Sequence, residues 1–80
     1  TDLAVLEERD GRTIGVWEIT PGVSTDVEAD EVFVVLAGRG RVEFDGGDVI
    51  DISPGSVVRL TEGMRTTWTI TETLRKLYIA

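Results

Sequence analysis

The sequence predicts an all-β fold, a sandwich or barrel of about eight short strands. Three observations predict it. No helix-length window places apolar residues at i, i+3, i+4 and i+7. Short runs rich in Val, Ile, Thr and aromatic residues recur along the chain, as pleated, half-buried segments require. Between them stand Asp-Gly, Pro-Gly, Gly-Gly and Ser-Pro-Gly, all of which favour tight turns.

The elements follow in order. Leu3 to Glu7 is a short apolar segment with the character of an edge strand, available for pairing with another subunit. Glu8 to Arg12 is a charged turn with Asp10-Gly11 at its tip. Thr13 to Thr20 is the second strand, ended by Pro21-Gly22 because proline has no N–H to give a ladder. Val23 to Asp30 lacks a core-forming pattern and reads as a loop or irregular strand. Glu31 to Ala37 contains the longest apolar run, too short to span a membrane, and reads as a buried strand. Gly38-Arg39-Gly40 is expected to turn the chain, so that the strand Arg41 to Asp45 folds back with Glu31 at the mouth of the hairpin. Gly46-Gly47-Asp48 is another turn, followed by a strand at Val49 to Ile52 and a turn at Ser53-Pro54-Gly55. Ser56 to Leu60 is a strand and Thr61 to Arg65 a loop. Two β-rich segments, Thr66 to Thr71 and Leu74 to Ile79, close the chain.

Composition bounds the chemistry. Eighty residues make one domain, 1–80, near the lower end of what a hydrophobic core alone stabilises. There is no cysteine, hence no disulfide, thiolate metal site or thiol nucleophile. There is no histidine either, which removes His-based triads, proton relays and metal sites together. A net charge of −7 disfavours nucleic acid and anionic membranes as partners. A cytoplasmic setting is the expectation.

Four pieces in order carry a family likeness: G-V-W-E-I-T-P-G at 15–22, D-E-V-F-V-V-L-A-G at 30–38, P-G-S-V-V-R-L at 54–60, and T-W-T-I with L-R-K-L-Y-I within 67–79. On these the chain resembles a small single-domain cupin, similar to the (S)-ureidoglycine aminohydrolase and ethanolamine-utilisation cupin group. The resemblance implies a cupin-type jelly-roll β-barrel (a double-stranded β-helix), a pocket at the metal position, and a homodimer. Cupins ligate a metal with three histidines and a glutamate. Here the glutamate and closing glycine of the first motif fall on Glu31 and Gly38. The histidine positions fall on Ser24 and Asp26, or on Thr25 and Val27, and in the second motif on Thr66; Thr61 and Ile70 hold that motif's proline and asparagine positions. Of the four ligands only Glu31 remains, so the family's metal chemistry does not carry over and no cofactor is expected.

If Glu31 keeps the family orientation, a period of two puts Phe33 and Val35 beside it facing inward. Thr66, Trp68 and Ile70 then share the inward face of their strand, and Trp17 is expected to be buried. The candidate ligand-binding residues are Glu31, Thr66, Trp68, Ser24, Phe33 and Arg41, with Arg65 as a second possible cation. Two readings of Glu31 compete: a ligand contact, or a structural ion pair with an arginine inside the barrel. Asp26, Glu28, Asp30 and Glu31 also raise an oxygen-only site for a hard cation, although their spacing matches no calcium loop. Arg39 and Arg41 are expected to pair with Glu43 or Asp45, Gly38-x-Gly40 is no phosphate cradle without a following helix, and Trp17, Phe33 and Trp68 are expected to be core. The leading expectation is a metal-free small-molecule binding module with its pocket around Glu31. One alternative is a cupin-type enzyme using Glu31 with an oxygen-liganded metal; another is a structural or dimerisation domain without a pocket.

Overall fold

A computed structural model describes the backbone of residues 2–80 and the side chains of residues 4–80. Its described residues form seven strands: β1 (Asp2–Arg9), β2 (Arg12–Ile19), β3 (Gly22–Val27), β4 (Glu31–Phe44), β5 (Val49–Ile52), β6 (Val57–Leu60) and β7 (Arg65–Ile79). None of them is helical, so no helix is available to cross a membrane. The all-β expectation holds, with fewer and longer strands than the turn signals suggested.

The β1–β2 hairpin closes at Asp10-Gly11, where both residues have positive φ, 52° and 78°, as a type I′ turn demands. The rest is built on the antiparallel pair β4 and β7, which run alongside each other for almost their whole length. The first half of β4 pairs with β6 and its second half with β5. The first half of β7 pairs with β3 and its second half with β2. Each long strand therefore takes part in two half-sheets, and residues from both halves meet in one core of Phe33, Val35, Val42, Ile52, Leu60, Trp68, Ile70, Leu74 and Tyr78.

The bend between the halves corrects one expectation. Gly38-Arg39-Gly40 does not reverse the chain; β4 continues through it with register shifts between Val35 and Ala37, Ala37 and Arg39, and Arg39 and Gly40. Extra residues on one strand of a ladder bend it rather than end it. Gly38 has φ 91°, and a Cβ there would run into the carbonyl oxygen of Thr73 on β7. The two β-rich segments after Arg65 are likewise one strand, since Glu72 still pairs with Arg39 across the bend. Val23 to Asp30 also resolves: β3 is a regular strand against β7, and only residues 28–30 leave it.

Candidate functional site

Along β7 the even-numbered residues Thr66, Trp68, Ile70, Leu74, Lys76 and Tyr78 are buried. One of them is a lysine. Lys76 is 6% exposed, and its Nζ donates a hydrogen bond of 2.6 Å to Glu31 Oε2 at the start of β4. Register explains the meeting: Lys76 pairs with Val35, and Phe33 pairs with Tyr78, so the inward faces of β4 and β7 coincide here. The Nζ also stands 4.8 Å from the ring centroid of Trp17, 4.6 Å from that of Phe33 and 5.1 Å from that of Trp68. Three aromatic faces and one carboxylate thus surround the ammonium, each an attractive partner for a cation. The rings also pack on one another, Phe33 to Trp68 at 5.6 Å and Trp17 to Trp68 at 6.3 Å between centroids. A buried ion pair has to be well satisfied to offset its desolvation, and this one is.

A second carboxylate is held beside the first. Glu28 lies in the short segment after β3, whose backbone is clamped to the loop before β7: Glu28 N–H donates to Met64 O at 2.8 Å and Gly63 N–H to Glu28 O at 2.9 Å. Asp30 Oδ1 adds a bond from Glu62 N–H at 2.8 Å. The clamp aims Glu28 Oε2 at Thr66, whose hydroxyl donates to it at 2.6 Å, and at Trp68, whose Nε1–H donates at 3.2 Å. Trp68 Nε1–H also donates to Thr66 Oγ1 at 2.9 Å. Both donors converge on one oxygen of a group that has about four acceptor positions, so acceptor capacity remains.

These groups border a cleft of about 520 Å³ whose lining includes Trp17, Ser24, Glu28, Glu31, Trp68 and Lys76. A larger groove of about 810 Å³ lies elsewhere, lined by Phe44, Ile50, Val58, Met64, Arg59 and Arg65 among others, and includes none of the six candidate residues. Size favours the groove, but the buried ion pair and the oriented carboxylate favour the cleft, and convergent polar groups mark a binding site better than volume does.

The structure sorts the predicted residues. Glu31 faces inward as expected, with Phe33 and Val35 buried beside it. Ser24 and Trp68 line the cleft. Phe33, 1% exposed, lies beneath Lys76, and Thr66, 3% exposed, acts through Glu28, so both support the cleft without lining it. Arg41 is not at this site: it is exposed, with Nε 3.3 Å from Asp51 Oδ1. Arg39 pairs with Glu72, so neither arginine takes the predicted partner. Trp17 is half-buried rather than buried, and packs against the core while facing the cleft. Lys76 was missed, and Glu28 was weighed only as one of four acids for a hard cation, not as a side of the cleft. Lys76 had a signal, since its even-numbered spacing from Trp68 and Ile70 puts it on their face. Glu28 had none, because contacts distant in sequence aim it.

The residues do not fit the cupin metal. Glu31 is taken by Lys76, the Thr66 hydroxyl donates to Glu28, and Asp26 is exposed with its Oδ1 on the adjacent Val27 N–H. Asp30 is turned to Glu62, so the acids proposed for a hard cation disperse. Among the described residues no group of three or more acids could hold a metal ion.

Comparison with known proteins gives one family and a consistent fold. The model of the EutQ-like cupin domain matches residues 6–78. A protein of unknown function from Rhizobium leguminosarum is 28% identical, with a TM-score of 0.81, over 98% of this chain and 74% of its own. The EutQ protein of Clostridium difficile is 22% identical, with a TM-score of 0.80, over 99% of this chain. A putative ethanolamine utilization protein Q from Salmonella typhimurium is also 22% identical, with a TM-score of 0.80, over the full chain. At that identity the last two show the fold alone. The chain spans 63% and 65% of the length of these two proteins. No curated protein matches.

Proposed function

This chain belongs to the EutQ-like cupin family, and on that premise we propose that it is a metal-free small-molecule binding module whose site is the cleft around Glu31. The observation that carries the reading is the cleft itself: a fixed ammonium at its base, oriented carboxylates at its side and indole rings as walls. Such a site offers a donor, several acceptors and apolar faces within one recess, as a small polar ligand with both hydroxyl or amine groups and a carbon framework requires. Asp26, Glu28 and Glu31 against the single Lys76 leave the cleft net negative, which favours neutral polyols and amines over organic acids. Glu31 is then both structural and functional: it holds Lys76 and presents its remaining acceptor capacity to the ligand.

A panel of monosaccharides, amino alcohols and dicarboxylates, screened by ligand-observed NMR and thermal shift, tests this. Binders should come from the first two classes and should weaken when Glu28 or Glu31 is replaced by glutamine. If the only binders were dicarboxylates, or if binding mapped to the Phe44–Met64 groove, the assignment would be wrong. A homodimer is part of the same proposal. Strand β1 has an unpaired outer edge and exposes Val5 and Leu6, 50% and 62% accessible, as a strand that pairs with a second copy would. Light scattering on the native chain and on a Leu6→Lys variant tests it; a native monomer would remove it.

A further inference from the structure

Glu31 is the one carboxylate left by the cupin metal motif, and its Oε2 is already engaged at 2.6 Å by the Lys76 ammonium. A divalent ion on the same oxygen, at an ordinary metal–oxygen distance of about 2.0–2.2 Å, would have to sit within about 5 Å of that ammonium. Like charges at that range, in a recess walled by Trp17 and Trp68 with Phe33 beneath, repel strongly because little water screens them. The lysine is also poorly placed to retreat. It is 6% exposed on a strand paired on both sides, and three ring faces hold its head in position. The other acids that face the cleft keep their charge but do not complete a coordination site: Glu28 Oε2 is directed to Thr66 and Trp68, Asp26 Oδ1 to the Val27 N–H, and among the described residues no three acids converge on one point.

From this we propose that Lys76 is the resident cation of the site, a specificity-determining residue that makes Glu31 refractory to divalent metals while supplying a permanent positive charge at the base of the cleft. The cation is covalently part of the chain, so the site needs no loading and has no open coordination position. The inference concerns discrimination against metals and does not depend on which small molecule binds; failure of the ligand screen leaves it intact.

The test uses Mn²⁺ as a paramagnetic probe of the intact chain, read from the indole N–H signals of Trp17 and Trp68. In the native protein these signals should keep their width at stoichiometric Mn²⁺, with any broadening confined to exposed acids. In Lys76→Gln and Lys76→Met the freed Glu31 should admit the ion, and the Mn²⁺ concentration that half-broadens the Trp68 indole should fall by about tenfold or more. Glutamine keeps a polar group and methionine fills the apolar box, so the two variants fail to fold for different reasons and one reports if the other is lost. Broadening of the Trp68 signal at stoichiometric Mn²⁺ that is present in the native protein and lost in Glu31→Gln would overturn the proposal. So would variants as refractory as the native protein, because something other than Lys76 would then be excluding the metal.

Discussion

The Lys76–Glu31 pair makes a quantitative prediction that depends on which partner is removed. Glu31→Gln leaves an ammonium whose side chain is 8% exposed without its carboxylate, whereas Lys76→Met leaves a carboxylate whose side chain retains 18% exposure. Removing one partner of a fully buried pair costs about 3–5 kcal/mol. Two features reduce that here. Part of Glu31 already meets water, and the three rings around Nζ retain attraction for the cation, about 0.5–2 kcal/mol in all. We expect Glu31→Gln to cost about 2–3 kcal/mol, or roughly 8–24 °C in Tm for a domain of this size. Lys76→Met should cost about 1–2 kcal/mol, since its methylenes still pack on the rings and the stranded carboxylate can hydrate. The double variant should lie within about 1 kcal/mol of native, because replacing both charges by neutral side chains removes the desolvation penalty along with the attraction. Urea unfolding followed by tryptophan fluorescence is the natural assay, as both tryptophans stand at the pair. A coupling energy below about 0.5 kcal/mol, or one abolished by molar salt, would mean that the pair behaves as a surface contact and that the burial argument fails.

Three other substitutions separate the parts of the architecture. Glu28→Gln keeps the shape but loses the charge that holds Thr66 and Trp68, and should cost about 1 kcal/mol and shift the Trp68 emission, both read in one urea series. Gly38→Ala puts a Cβ at φ 91° against the Thr73 carbonyl; it should cost more than about 1 kcal/mol by thermal unfolding, and a neutral result would contradict the bend. Arg41→Gln removes an exposed pair with Asp51 and should stay within about 0.5 kcal/mol of native, with ligand affinity unchanged in the binding screen.

How far the sequence could be read is clearest on β4. The inward residues there are odd-numbered before the bend, Phe33 and Val35, and the inward residue after it is even-numbered, Val42. The register shifts between Val35 and Gly40 make that change, and a shift of one residue sends every later side chain to the opposite face. A glycine pair signals a turn and a bulge alike; only the partner strand β7, which runs on through Glu72, decides between them. Arg41, odd-numbered and beyond the bend, therefore lies on the outward face, beside the buried Val42. The inward set on β7 was legible because its alternation survives the bend, with Trp68, Ile70, Leu74 and Tyr78 all even-numbered and buried.

That same alternation includes Lys76, and composition argues against reading it, because lysine is almost never fully buried unless paired. The pairing comes from rings on β2, β4 and β7 and a carboxylate at the start of β4, groups that only the folded β4–β7 ladder brings together. The cation at Glu31 was expected to be an arginine and is a lysine, and geometry selects it. The bulge turns Arg41 outward to Asp51, while the even-numbered inward set of β7, interrupted only at Glu72, carries Lys76 inward to face Glu31. One bend therefore determines both results: it removes one candidate cation from the barrel and leaves the carboxylate to the other.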